Sequence, residues 1–110
     1  MTNIFHTDLQ DRWTNFSLCE QMANIGAEVG RTINWRKKGN TLMSTNALYR
    51  ALELMDFTID DAKNKNSLKE ILRVREALVD FFIGHNEYGS SEHIWEKYFS
   101  FFNLAARKDT

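Results

Sequence analysis

The sequence predicts an all-α protein, an antiparallel up-and-down four-helix bundle with an N-terminal docking arm. Two observations carry that prediction. No proline occurs in 110 residues, where average usage would place about five or six, and proline is the residue that breaks helix interiors. Apolar side chains also recur every three or four residues along four separate stretches, the period of a helix with one buried face. A chain of this length hides about two thirds of its unfolded surface on folding, enough for one core without metal or disulfide staples. Residues 17–110 are therefore read as a single domain behind an arm over residues 1–16.

The arm, MTNIFHTDLQDRWTNF, is polar but carries Phe5, Trp13 and Phe16, poor choices for a free tail, so it is expected to dock. Ser17 followed by Glu20 has the spacing of a capping box, in which the serine oxygen accepts an amide proton and the glutamate reaches back. Helix 1 starts there and runs from about 18 to 38. Its stripe is Leu18, Met22, Ile25, Val29 and Ile33, and Gly39 stands where a left-handed C-cap is wanted. The adjacent face carries Ala23, Gly26, Ala27 and Gly30. An internal glycine costs about 1 kcal/mol against alanine, so close packing of another backbone should compensate. That backbone belongs either to a helix of the same chain or to a second subunit, and the residues leave both open.

Helix 2, from about 44 to 61, is read from Leu48, Leu52, Met55 and Ile59, flanked by Ala47, Ala51 and Leu54. The Asn-rich run AKNKNS reads as a polar loop, and Ser67 with Glu70 repeats the capping-box spacing before helix 3, about 68 to 83. Gly84 ends that helix, HNEYGSS makes a turn, and Ser90 or Ser91 caps helix 4, about 92 to 107. An orthogonal array of two helix pairs is the alternative arrangement of the same four elements.

Charge and composition exclude several functions. Fourteen Lys+Arg against 15 Asp+Glu give a formal charge of −1, and the pI is near 6.3, so bulk electrostatics cannot hold nucleic acid or an anionic membrane. The mean hydropathy of −0.48 and the shortness of every apolar run argue against a membrane span. A lone Cys19 allows no internal disulfide, and the N-terminus lacks the pattern of a signal peptide, so the expected location is the cytoplasm.

Catalytic patterns are scarce. The five glycines are dispersed and form no phosphate-cradling loop. Cys19, in a first helical turn, has no histidine near it in sequence and reads as a structural thiol. His6, His85 and His93 make no metal-ligand spacing on one helix face. Glu53-x-x-Asp56 supplies half of the acidic pattern of the helical magnesium-dependent nucleotide pyrophosphohydrolases, and the second half is missing. No cofactor and no metal are expected. Arg75 lies close to the apolar stripe of helix 3 and calls for an acid, with Glu28, Glu53 and Asp56 as candidates.

Two features point to partners. Trp35-Arg36-Lys37-Lys38 is the one basic cluster; its cations complement the C-terminal dipole of helix 1, or, with Arg31 and Arg50 turned the same way, contact phosphate or RNA. Helix 4 carries Ile94, Trp95, Tyr98, Phe99, Phe101, Phe102, Leu104 and Ala105, a wider sector than a bundle helix buries. Either the arm covers the excess aromatics or another subunit or partner does.

MANIGAEVGRTINWRKKGN, RALELMDFTIDD and LKEILRVREALVDFFIGHNEYGSS together resemble a family of small prokaryotic helical proteins, over about residues 13 to 107. The resemblance implies a helical bundle and carries no activity with it. The layout is also similar to the four-helix bundles that accompany reverse transcriptases of diversity-generating retroelements, and to HEPN helical proteins, which act as ribonucleases or as partners of nucleotidyltransferases. The HEPN signature places an arginine shortly before a histidine on one helix. Here Arg75 precedes His85 by ten residues and Arg73 by twelve, so those catalytic residues do not carry over. The retroelement proteins are basic, and a charge of −1 departs from that.

The expected function is a non-enzymatic, homo-oligomeric helical-bundle module that binds another macromolecule. Gly26, Gly30, Trp95, Tyr98, Phe99, Phe101 and Phe102 are its candidate contact residues. The alternative is an RNA-binding accessory of a reverse transcriptase or nucleotidyltransferase, working through Arg31, Trp35, Arg36, Lys37, Lys38 and Arg50. A magnesium-dependent nucleotide hydrolase using Glu53 and Asp56 comes third.

Overall fold

The computed structural model describes the backbone of residues 4–108 and the side chains of 9–107. The described chain is all-helical: α1 (Ile4–Trp13), α2 (Leu18–Lys37), α3 (Thr41–Asp60), a 3-10 helix (Ala62–Ser67), α4 (Leu68–Phe82) and α5 (Glu92–Lys108). No helix among the described residues is long and apolar enough to cross a membrane. The arm is itself a helix, one more than the sequence suggested, and it docks by inserting Trp13, which is buried. The Phe5 and His6 side chains lie outside the described residues.

The Ser17 capping box forms as read. Ser17 Oγ accepts from the Glu20 amide at 3.1 Å and Glu20 Oε1 accepts from the Ser17 amide at 2.9 Å. Met22, Ile25, Val29 and Ile33 are buried along the expected stripe. Gly39 takes a φ of +75°, the left-handed region that glycine enters without a Cβ penalty, and the chain reverses there. Asn40 Oδ1 then accepts from the Met43 amide at 3.0 Å, so α3 starts three residues before the position that periodicity alone picked. The late part of α2 meets the early part of α3, where Ser44 Oγ donates to the Thr32 carbonyl at 2.9 Å. At the other end Gln21 Nε2 donates to Asp61 Oδ2, also at 2.9 Å.

That far end holds a buried polar knot where the sequence suggested a loop. Trp13 Nε1 donates to Thr58 Oγ1 at 2.9 Å. Asn64 Nδ2 donates to Gln21 Oε1 at 2.8 Å and to the Thr58 carbonyl at 3.0 Å. Lys63 closes on the Asp61 carboxylate. Gln21, Thr58, Asp61 and Asn64 are all buried, and every buried group that finds a partner avoids a desolvation cost of about 1–3 kcal/mol. AKNKNS is thus a 3-10 turn pinned by Asn64. It runs straight into α4, the Leu68 amide already bonding to the Lys65 carbonyl, and the second expected capping box does not form: Ser67 makes no side-chain cap bond.

α4 buries Ile71, Val74 and Leu78. In the turn after it, both Asp80 carboxylate oxygens accept backbone amides, from Glu87 at 2.8 Å and Tyr88 at 3.0 Å. Ser91 rather than Ser90 caps α5, its Oγ accepting from the Ile94 amide at 3.1 Å. α5 packs along α2, with Lys37 and Glu92 3.8 Å apart and Phe99 lying over Gly26. A β-carbon on Gly26 would stand 2.7 Å from Phe99 Cβ, whereas one on Gly30 would meet nothing within 4 Å. The small-residue face of α2 therefore seats a helix of the same chain, and does so at Gly26.

Candidate functional site

The excess aromatics of α5 divide between two faces. Successive helical residues are 100° apart, which sends Trp95 and Phe99 to one side and Ile94, Tyr98, Phe101 and Ala105 to a neighbouring one. Trp95 and Phe99 are each 5% exposed and pack in the main core, with their rings stacked at 6.1 Å. Gly26, Trp95 and Phe99, read from the sequence as contact residues for a partner, thus belong to the α2–α5 seam inside the chain. Gly30 lines the open end of that seam. Trp95 Nε1 is buried, with no hydrogen-bond partner among the described residues.

The other face of α5 stays open. Phe101 is 66% exposed, Leu104 59% and Ile94 50%. Half-buried Tyr98 and Phe102 support them, with ring centroids 5.3 Å apart, and the Phe101 ring stands edge-on to Phe102 at 5.5 Å. Glu70, Ile94, Lys97, Tyr98, Phe101 and Phe102 line one shallow groove. Tyr98 Oη donates to Glu70 Oε2 at 2.9 Å. Burial first, then that hydrogen bond and the Glu70 charge, hold the Tyr98 phenol well above the ordinary tyrosine range. The described aromatics of the arm go elsewhere: Trp13 to Thr58, and Phe16, itself partly exposed, to the opposite edge of α5 beside Asn103 and Ala106.

Of the expected contact residues, the structure gathers Tyr98, Phe101 and Phe102 on this strip, and it adds Glu70, Ile94, Lys97 and Leu104. Ile94 and Leu104 are legible in the apolar sector of helix 4. Glu70 was not, because S-x-x-E assigns it to a cap, while in the fold it turns to Tyr98.

The basic residues do not converge. Arg31 and Arg50 meet on one carboxylate, Glu28, at 2.9 and 3.4 Å. The Arg36 guanidinium lies over the Phe81 and Phe82 rings at 5.1 and 5.5 Å, and Lys38 over Trp35 at 5.2 Å. Lys37 faces Glu92. Arg31, Arg36, Lys37, Lys38 and Arg50 thus each have a partner within the chain. Of the acidic pair, Asp56 takes both hydrogen bonds of Arg75, at 2.8 and 3.3 Å, and it is the acid that Arg75 called for. Among the described residues no group of three His, Cys, Asp or Glu is placed to hold a metal ion. Cys19 is half-buried, and His85 and His93 are exposed.

Comparison with protein-family models, with curated proteins and with solved structures finds no match to this chain.

Proposed function

We propose that the chain is a non-enzymatic interaction module: an up-and-down bundle of α2 to α5 that presents the outward strip of α5 to a macromolecular partner and assembles as a homo-oligomer through it. The observation that carries this reading is the 66% exposure of Phe101 between Ile94 and Leu104, which are also half or more exposed. An aromatic side chain buries about 150–250 Å² when covered, and a contiguous apolar patch of a few hundred Å² on a soluble chain marks an interaction surface.

Phe101→Asp tests it. Because Phe101 contributes little to the chain's own core, the variant should keep its helical circular dichroism, while the mass by light scattering falls from a multiple of 12.9 kDa to a single chain. An unchanged mass for both Phe101→Asp and Leu104→Asp would overturn the reading. A particle with excess absorbance at 260 nm would instead move the function to the basic residues around Trp35.

A further inference from the structure

The charges that flank the α5 strip specify how two copies meet on it. On the helix circumference Lys97 lies about 60° to one side of Ile94, next to Phe101 and Leu104. Tyr98 and Phe102 lie on the other side, and there Tyr98 Oη reaches Glu70 of α4. The apolar strip is thus bounded by a base on one flank and, held by Tyr98, the residue next to Lys97, an acid on the other. Glu70 uses Oε2 for Tyr98, which leaves Oε1 available as an acceptor. Among the described residues Lys97 has no ion pair, although it lines the same groove as Glu70.

A twofold interface brings each patch against itself, so its charges must suit each other under rotation. Were the axis to cross α5, like flanks would meet, setting Lys97 beside the partner's Lys97 and Glu70 beside the partner's Glu70. An axis parallel to α5 exchanges the flanks and leaves the level along the helix unchanged, so Lys97 meets the partner's Glu70, twice. We infer that the partner on this surface is a second copy of the chain, with the two α5 helices parallel about a twofold axis, and that Lys97 and Glu70 are its specificity-determining residues. Ile94 and Phe101 pack across the axis. The inference rests on the reading of the α5 strip as the contact surface. A standard interface covers about 800 Å² per partner. With one helix face as its core, the pair should dissociate on the order of micromolar.

Charge exchange tests the arrangement by sedimentation equilibrium on the full chain. Lys97→Glu and Glu70→Lys should each weaken self-association about tenfold, since each turns two attractions into two repulsions. The double variant, and an equimolar mixture of the two single variants, should return to within about threefold of the native value. Lys97→Glu breaks no ion pair among the described residues, so it decides the matter even if Glu70→Lys, which loses Tyr98, fails to fold. Single variants that associate like the native chain, while Phe101→Asp is monomeric, overturn the parallel pairing and leave the surface standing. A native chain that stays monomeric at several hundred micromolar overturns both.

Discussion

Two glycines four residues apart on α2 carry opposite consequences. At Gly26 a methyl group would stand 2.7 Å from Phe99 Cβ, an atom fixed to the α5 backbone that cannot swing away. Gly26→Ala should therefore prise α5 from α2 and cost about 1–3 kcal/mol. At Gly30 the same methyl meets nothing within 4 Å, so Gly30→Ala should add about 0.5–1 kcal/mol by helix propensity alone. Urea midpoints moving in opposite directions would establish the contrast, and equal shifts would refute it. The sequence displayed both glycines on one face and could not rank them, because the difference is set by a side chain 73 positions along the chain. Asp61 offers a second test. Burial raises its pKa, but the hydrogen bonds from Lys63 and Gln21 and the Lys63 charge outweigh that, and the net value is lowered. With the folded value below the unfolded one, the unfolded chain binds the proton first as pH falls. The stabilisation is complete above the ordinary carboxylate range, about pH 4, and is lost as the pH drops through the folded value. In urea titrations the stability gap between native chain and Asp61→Asn should narrow from pH 6 to pH 2; a constant gap would refute the linkage.

The same four-residue pattern, serine with a glutamate three positions on, stands before α2 and before α4, and only the first is a capping box. Ser17→Ala should cost about 1 kcal/mol, while Ser67→Ala should stay within about 0.5 kcal/mol, read from the same urea curves; similar losses at both would mean that Ser67 caps after all. Local pattern set the two helices apart from loop correctly but could not see that α4 has no free first turn. The 3-10 turn before it is fixed by Asn64 reaching Gln21, 43 residues away. Periodicity located α2, α4 and α5 to within a residue or so, because a buried stripe repeats within one helix. It missed α1, where Phe5, Leu9 and Trp13 do stand four residues apart but amid a polar run that reads as an arm, and it started α3 late, since Thr41, Leu42 and Met43 are exposed.

Taken whole, the chain has a radius of gyration of 13.9 Å and extents of 35 × 35 × 25 Å, with α2 as the helix that both α3 and α5 pack against. The candidate site was half legible at this scale: an excess of aromatics on the last helix is visible in the sequence, but which of them the core absorbs depends on how α5 rotates against α2, and that rotation is set by Phe99 over Gly26. The basic cluster shows the converse, a compact signal in sequence whose side chains the fold spreads among Glu28, Glu92 and three aromatic rings. The three indoles also fall in three different settings: Trp13 bonded within the polar knot, Trp35 beneath Lys38, and Trp95 with its N–H unbonded among the described residues, behind the α5 strip. The chain therefore carries three native reporters at three separate stations, and their indole proton resonances should be resolved from one another, so that a single isotope-labelled sample distinguishes loosening of the knot, occupancy near the cations and coverage of α5.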